Sequence, residues 1–205
     1  MPSKAKIFFS AEELQLLQER SFFYRKAAAE EKVMQLLAEL GDVGREHPLA
    51  GWLQAAFPPG SAAPRIHRGN QLEGLPYRLL DFPAIIQKDQ VFLVRTLFWW
   101  GHSFSFSLLV QGGILPRVLP LLCSNYEKLR QLPLRLACSN DPWNNRLDSS
   151  AYRPLPENAS GLPEQAGESG FIRLSLPLEL SHYAGLPAGY QHFLDVLLAV
   201  LGDQR

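Results

Sequence analysis

Residues 91–112 carry the clearest hydrophobic pattern in the chain. In VFLVRTLFWWGHSFSFSLLVQG, apolar and polar positions alternate with a period of two residues, which is typical of β-strands and not of a helix. Gly101 and His102 fit a two-residue turn, because a type II′ turn needs glycine at its first central position. The pattern therefore predicts a β-hairpin at about residues 91–111.

A two-residue turn also fixes which residues of the hairpin pair. It places Trp99 opposite Phe104 and Arg95 opposite Leu108, on the face expected to be core. The other face then carries aromatic and hydroxyl side chains, from Trp100, Phe98, Thr96, Ser103, Ser105 and Ser107. A four-residue loop keeps these faces, whereas a three-residue loop flips the faces of one strand.

The N-terminal region is predicted to be helical. Ser10 and Glu13 fit a capping box that starts a helical region running to about Leu40, broken into two helices near Ser21, and Gly41 is a natural stop. The apolar residues expected to form its buried stripes are Leu14, Leu17, Phe22, Met34, Leu37 and Leu40. A second helical pattern covers residues 188–201 at the C-terminus.

The order of elements predicts the fold class. Further strands are expected at residues 77–82, 134–138, 152–155 and 171–178, and a further helix from Pro116 or Pro120 to about Leu132. Helices first, antiparallel strands in the middle and a helix at the end indicate an α+β fold, in which the N-terminal helices and the C-terminal helix pack on an antiparallel sheet with the hairpin at its centre.

We expect one domain over residues 1–205. Within it, residues 1–48 form a helical part, 49–76 a turn-rich connector, and 77–205 the part that contains the sheet. Residues 156–170 have few large apolar side chains and many Pro, Gly, Ser and Glu residues, so they are predicted to be a mobile surface loop.

Composition narrows the classes of partner. The chain has 20 basic and 20 acidic residues, a formal net charge of +0, which argues against a broad surface for nucleic acid. Residues 91–112 contain Arg95, His102 and four hydroxyl residues, so they do not suit a membrane-spanning helix. The apolar run at the N-terminus is too short for a signal peptide. We expect a cytoplasmic protein with neither a nucleic-acid nor a membrane partner.

The sequence lacks the common signatures of metal or cofactor chemistry. Cys123 and Cys138 are not in a CxxC or Cys/His spacing, and the five histidines are scattered singly. GxSxG, GxGxxG and GxxxxGK[ST] are all missing from the sequence. We therefore expect no metal and no cofactor, and the missing catalytic motifs favour a protein that is not an enzyme.

Arg95 is the sharpest anomaly, because the hairpin places it on the face expected to be core. A guanidinium stays charged when it is buried, so it needs a partner. Asp81 is the first choice, with Glu73, Asp141 and Asp148 as alternatives. The pair could be a buried structural contact that fixes strand register, or Arg95 could clamp an anion in a cleft.

Two other places could contact a ligand. Residues 141–148 combine Asp141 and Trp143 with further polar side chains just after a strand, where binding residues are common. Asp141 also suits the N-cap of a short helix, which is the alternative interpretation. His102 is expected to be exposed in the hairpin turn, where it could line the rim of a pocket beside Trp100.

Two classes of function remain open. The first is a non-catalytic binding or interaction protein that contacts a small molecule or a protein through its aromatic sheet face or through Trp143. The competing interpretation of that face is a second core layer covered by helices. The second class is an enzyme for a small polar or anionic substrate, with Arg95 or Arg78 as the anion clamp and Asp81, Asp141 or His102 as acid or base.

Two blocks of the central region carry a family resemblance. GLPYRLLDFP at residues 74–83 and RTLFWWG at residues 95–101 resemble segments of a family of uncharacterised bacterial proteins. The resemblance covers about the central half of the chain. It implies no activity.

Overall fold

The computed structural model describes residues 7–58, 63–147 and 150–202 and is built around one antiparallel sheet. Its strands are β1 (Arg65–Leu72), β2 (Leu75–Ile86), β3 (Gln90–Trp99), β4 (Ser103–Gly112), β5 (Arg135–Ala137), β6 (Tyr152–Pro154) and β7 (Phe171–Glu179). Their order across the sheet is β1-β2-β3-β4-β7-β5-β6. The predicted α+β class is confirmed, with the hairpin β3–β4 at the centre of the sheet.

The helices lie mainly before and after the central strands. They are α1 (Ala11–Gln18), α2 (Arg20–Glu46), α3 (Pro48–Ala56), α4 (Leu115–Ser124), α5 (Tyr126–Leu129), α6 (Gly161–Ser169) and α7 (Leu186–Leu201). The chain divides into two compact units, Met1–Leu36 and Leu37–Arg205. The first unit contains α1 and the beginning of α2, and the second contains the sheet.

The turn of the central hairpin has three residues, 100–102, and the predicted two-residue turn is wrong. Trp99 pairs with Ser103, where the prediction paired it with Phe104. Gly101, the middle residue of this turn, takes a φ of 73°, a left-handed conformation that glycine adopts without steric cost. Because side chains alternate along a strand, one extra turn residue moves every side chain of β4 to the other face of the sheet.

One face of the sheet packs against helices and is almost wholly apolar. In the central hairpin this helix-covered face is formed by Phe92, Val94, Thr96, Phe98, Phe104, Phe106, Leu108 and Val110. The ring of Phe106 lies 5.2 Å from that of Tyr190 and 5.8 Å from that of Phe193, both on α7. The predicted packing of the C-terminal helix on the sheet is therefore confirmed.

Among the described residues, one helical stretch, Leu180–Leu201, is long and apolar enough to cross a membrane by length and composition. Its residues Tyr190, Phe193 and Leu197 are fully buried within the second unit. These contacts account for its hydrophobicity, as in the core helix of a soluble protein.

Regular structure extends into regions that were expected to be irregular. The predicted connector at 49–76 contains α3 and β1, and the predicted mobile loop at 156–170 contains α6. Helix α2 also continues past its predicted stop at Gly41. A Cβ atom at Gly44 would lie only 2.9 Å from Cδ1 of Phe82. The glycines of α2 therefore allow close packing on the sheet and do not end the helix.

Candidate functional site

The second face of the sheet is polar although it is buried. Its buried polar side chains are Asp81 on β2, Arg95 on β3, Ser105 and Ser107 on β4, and Arg173 and Ser175 on β7. We call this set the polar face. Residues 142–145, between β5 and β6, contact it. The structure thus brings Arg95 and Asp81 together, as the sequence suggested, and places Trp143 beside them.

Arg95 and Asp81 form a buried ion pair with two hydrogen bonds. They are register partners on β3 and β2. Arg95 Nε donates to Asp81 Oδ1 at 2.7 Å, and Nη2 donates to Oδ2 at 2.8 Å. Asp81 is 3% exposed and Arg95 is 8% exposed. The predicted pairing is confirmed, and Asp81 occupies the two donors that an anion clamp would use.

Trp143 covers this ion pair from the solvent side. The guanidinium carbon of Arg95 lies 5.2 Å from the centre of the Trp143 ring, within the range of a cation–π contact. Asp141 fixes the backbone before it, because Asp141 Oδ1 accepts a hydrogen bond from the Trp143 backbone N–H at 2.9 Å. This is an Asx-turn, and no helix follows it. Asp141 therefore shapes a turn and does not cap a helix.

Arg173 is the polar-face residue that sequence reasoning missed. It is fully buried; its Nη1 and Nη2 groups donate to neutral acceptors, and within the described residues its Nε–H has no hydrogen-bond partner. Nη1 donates to the backbone oxygens of Pro142 and Asn144 at 3.0 and 2.8 Å, and Nη2 donates to Oδ1 of Asn145 at 2.8 Å. Burial lowers the pKa of Arg173, because the charged form loses water. The sequence signal that could have identified it is a single arginine in a strand whose other residues are mostly apolar or serine.

Tyr152 holds the same segment in place. Its hydroxyl donates to the backbone oxygen of Asn144 at 2.6 Å, and its ring lies 5.9 Å from the guanidinium carbon of Arg173. Burial raises the pKa of Tyr152, because the phenolate would lose its hydration. Arg173 and Tyr152 together fasten residues 142–145 over the sheet, which is a structural role.

Trp100 and His102 lie at the far end of the hairpin. The His102 ring stacks on Trp99 with the ring centres 3.5 Å apart and the planes 4° from parallel. Trp100 is half-buried. Trp99 is four residues along β3 from Arg95, about 13 Å at roughly 3.3 Å per residue. His102 is therefore beyond hydrogen-bond reach of the Arg95–Asp81 pair and does not share a site with it.

A small cavity of about 180 Å³ adjoins the hairpin turn. It is lined by Leu97, Trp99, His102, Ser103, Asn145 and Leu147. His102 thus lines a pocket, as the sequence suggested. The cavity contains aromatic, hydroxyl and amide groups and no carboxylate.

The predicted aromatic interaction face is mostly buried, and of its aromatic side chains only Trp100 is partly exposed. Thr96, Phe98 and Ser105 are only 1%, 5% and 1% exposed. The register of the hairpin also puts Ser105 on the opposite face from Phe98. Phe98 packs against Phe104 at 4.9 Å on the helix-covered side. The alternative interpretation, a core layer covered by helices, fits Thr96 and Phe98.

Two of the other acidic residues considered as partners of Arg95 are Glu73 and Asp148. Glu73 pairs with Arg146 at 2.6 Å, and Asp148 lies outside the described residues. Within residues 7–58, 63–147 and 150–202, no group of three His, Cys, Asp or Glu side chains is placed to hold a metal ion.

Large apolar side chains are exposed in the first unit, where the sequence predicted buried stripes. Nine of them are between 43% and 80% exposed: Ile7, Phe8, Phe9, Leu14, Leu16, Leu17, Phe22, Phe23 and Tyr24. We call this set the apolar N-terminal surface. The predicted stripe is buried only at Leu37 and Leu40, in the second unit. The burial predicted for Leu14, Leu17 and Phe22 is wrong.

Local sequence signals explain why these side chains are carried on two helices. Ser10 Oγ accepts from the Glu13 backbone N–H at 3.1 Å, and Glu13 Oε2 accepts from the Ser10 backbone N–H at 2.6 Å. The predicted capping box is therefore confirmed. Glu19 has a non-helical ψ of 77°, and the Ser21 hydroxyl donates to its carboxylate. The predicted break near Ser21 thus separates α1 from α2.

Comparison with known proteins does not identify a relative. No protein-family model matches the chain, and neither a curated protein nor a solved structure matches it. Its function is therefore inferred from its residues and their contacts.

Proposed function

We propose that this chain is a non-catalytic, cytoplasmic protein-interaction domain, and that its apolar N-terminal surface is the part that contacts the partner. The observation that carries the proposal is the exposure of nine large apolar side chains within residues 7–24. A soluble monomer seldom leaves a contiguous apolar patch larger than about 300–600 Å² open to water, and larger patches mark binding sites.

The types of side chain on this surface favour a protein partner. Five of the nine are aromatic: Phe8, Phe9, Phe22, Phe23 and Tyr24. Aromatic residues are enriched at the centres of protein interfaces, where they bury large areas at low entropic cost. Elsewhere in the described residues, large exposed apolar side chains are scattered, at Leu75, Ile86, Trp143 and Tyr183. Such single residues are normal on a protein surface.

The charges of the first unit favour a protein over a membrane or a nucleic acid. The sequence of this unit, residues 1–36, contains five acidic side chains, Glu12, Glu13, Glu19, Glu30 and Glu31. It contains six basic side chains, Lys4, Lys6, Arg20, Arg25, Lys26 and Lys32. Helices that lie on a membrane usually carry an excess of Lys and Arg opposite their apolar face. This balance of charge instead suits a protein surface that carries both signs.

The polar face of the sheet supports a structural role for the second unit. The guanidinium of Arg95 is held by Asp81 and covered by Trp143, and that of Arg173 is held by backbone and amide oxygens. Catalytic groups need access to a substrate and a partner for proton transfer within hydrogen-bond reach. These arginines instead join the strands to residues 142–145.

Site-specific photo-crosslinking in the cells that make the protein tests this function. A photoreactive amino acid replaces Tyr24, and a matched variant carries it at Tyr183, since these two tyrosines are 73% and 62% exposed. We expect protein adducts from position 24 and few from position 183. Equal adduct yields at both positions, or none at position 24, would refute the proposal.

A further inference from the structure

We propose that the partner at the apolar N-terminal surface is a second copy of this chain, so that two N-terminal units pair around a two-fold axis. This inference rests on the proposed function, because it names the occupant of the same surface. It follows from the area of the surface, the order of its charges and the shortness of α1.

The exposed apolar area matches what one side of a stable dimer interface requires. An aromatic side chain contributes about 150–250 Å² of surface, so nine large side chains at the observed exposures present on the order of 1,000 Å². A stable interface buries about 800 Å² on each partner. The summed area is therefore large enough to supply one side of such an interface.

Charges of opposite sign lie at the two ends of this surface, so an antiparallel second copy would place acidic residues opposite basic ones. Glu12 and Glu13 lie in the first turn of α1, and Arg20 and Arg25 lie at the start of α2. In a two-fold interface whose axis is perpendicular to the helices, each segment meets its counterpart running in the opposite direction. Helix α1 of one copy then lies beside the beginning of α2 of the other, which brings carboxylates opposite guanidinium groups.

Helix α1 also needs a surface to pack on. It has eight residues and buries none of them. Isolated helices shorter than about 12–15 residues are marginal in water, because the cost of nucleation is shared by few hydrogen bonds. A second copy supplies the missing surface to both α1 helices at once, since a two-fold interface uses every contact twice.

Analytical ultracentrifugation of the purified full-length chain tests the dimer. We expect a particle of twice the 23.0 kDa chain mass that dissociates on dilution. The variant Phe22→Glu/Phe23→Glu should dissociate at least about 30-fold more readily, as expected for the loss of interface hot spots. Tyr183→Glu is the matched control, because it adds charge at an exposed aromatic residue outside the first unit, and it should dimerise normally.

Charge reversal tests the antiparallel arrangement. Glu12→Arg, which keeps the capping residue Glu13, should weaken the dimer, and so should Arg20→Glu/Arg25→Glu. A mixture of the two variants should form heterodimers more tightly than either forms homodimers, because each variant then meets the opposite charge. Equal affinities in the mixture and in the separate variants would overturn the proposed arrangement. Circular dichroism of each variant shows that its helices are retained.

The outcomes separate this inference from the proposed function. A monomeric chain at every concentration overturns the dimer, whereas crosslinks from position 24 to a different protein would keep the interaction function. A dimer that Phe22→Glu/Phe23→Glu leaves intact overturns the placement of the interface. A monomer that co-sediments with phosphatidylcholine and phosphatidylserine vesicles, and loses this property in the same variant, overturns both proposals.

Discussion

Arg95 and Asp81 face each other across β3 and β2 and share two hydrogen bonds of 2.7 and 2.8 Å. Both side chains are buried, so each charge has lost its hydration, and the ion pair is the main interaction that offsets this desolvation cost. A buried pair of this kind adds little net stability over an apolar pair. It makes the loss of either partner costly, because the remaining charge is then isolated.

We therefore expect Asp81→Asn to lower the free energy of unfolding by about 3–5 kcal/mol, since it leaves the Arg95 guanidinium buried without an anion. Urea denaturation measures the change. The control is Asp42→Asn, which removes an exposed partner of Arg45 and should cost less than about 1 kcal/mol. Similar costs for the two substitutions would contradict the structural role of the pair.

Gly44 tests the close packing of α2 on the sheet. A Cβ at this position would lie 2.9 Å from Phe82 Cδ1 and 3.2 Å from the Tyr190 hydroxyl oxygen. Gly44→Ala should therefore destabilise the protein by about 1–3 kcal/mol through overpacking. Gly51→Ala, in α3, meets nothing within 4 Å and should stabilise the protein by up to about 1 kcal/mol through helix propensity. Thermal unfolding of both variants would show shifts of opposite sign if this packing is correct.

Tyr190 should make stability fall in alkaline solution. Its hydroxyl donates to the Phe82 carbonyl, and burial raises the pKa of Tyr190 above its usual value of about 10. The unfolded chain loses this proton first, so the contribution is complete below pH of about 10 and declines as the pH rises above that value. Tyr190→Phe should show a flatter decline in urea denaturation across this range, whereas Tyr24→Phe should follow the parent protein. Parallel curves for Tyr190→Phe and the parent would rule out this coupling.

Arg173 should protect the backbone amides of residues 142–147 from hydrogen exchange. Arg173→Met keeps an apolar side chain of similar length in the sheet and removes the donors to Pro142, Asn144 and Asn145. We expect faster hydrogen exchange at residues 142–147, with the central strands unchanged. Arg153→Met, at an exposed arginine of β6, is the control and should alter neither region. Unchanged exchange at residues 142–147 in Arg173→Met would contradict the role given to Arg173.

The hairpin illustrates what the sequence determines and what it leaves open. Alternation of apolar residues located both strands of the hairpin, and Gly101 located its turn. The number of turn residues was not determined, because a glycine in a left-handed conformation fits a loop of two residues and one of three. The difference of one turn residue decides which side chains of β4 face the helices, so the position of the aromatic side chains could not be derived from the pattern alone.

The polar face shows the same limit for the candidate site. The Arg95–Asp81 pair could be predicted, because both residues lie on neighbouring strands and have opposite charge. Arg173 could not be placed in the same way, since two of its acceptors are backbone oxygens about 30 positions away, which carry no signal in residue type. Burial of Leu162 and Ala166 on one side of α6 likewise depends on tertiary contacts that the local composition conceals.

The edges of the sheet limit how the protein can associate. Strand β1 has exposed Arg65, His67 and Arg68 and an irregularity between Gly69 and Leu72, and β6 at the other edge has only three residues and ends at a proline. Short strands, irregular pairing, basic side chains and proline all hinder the addition of another strand to a sheet. The sheet is therefore protected against edge-to-edge aggregation, and association between copies is left to the helices before it.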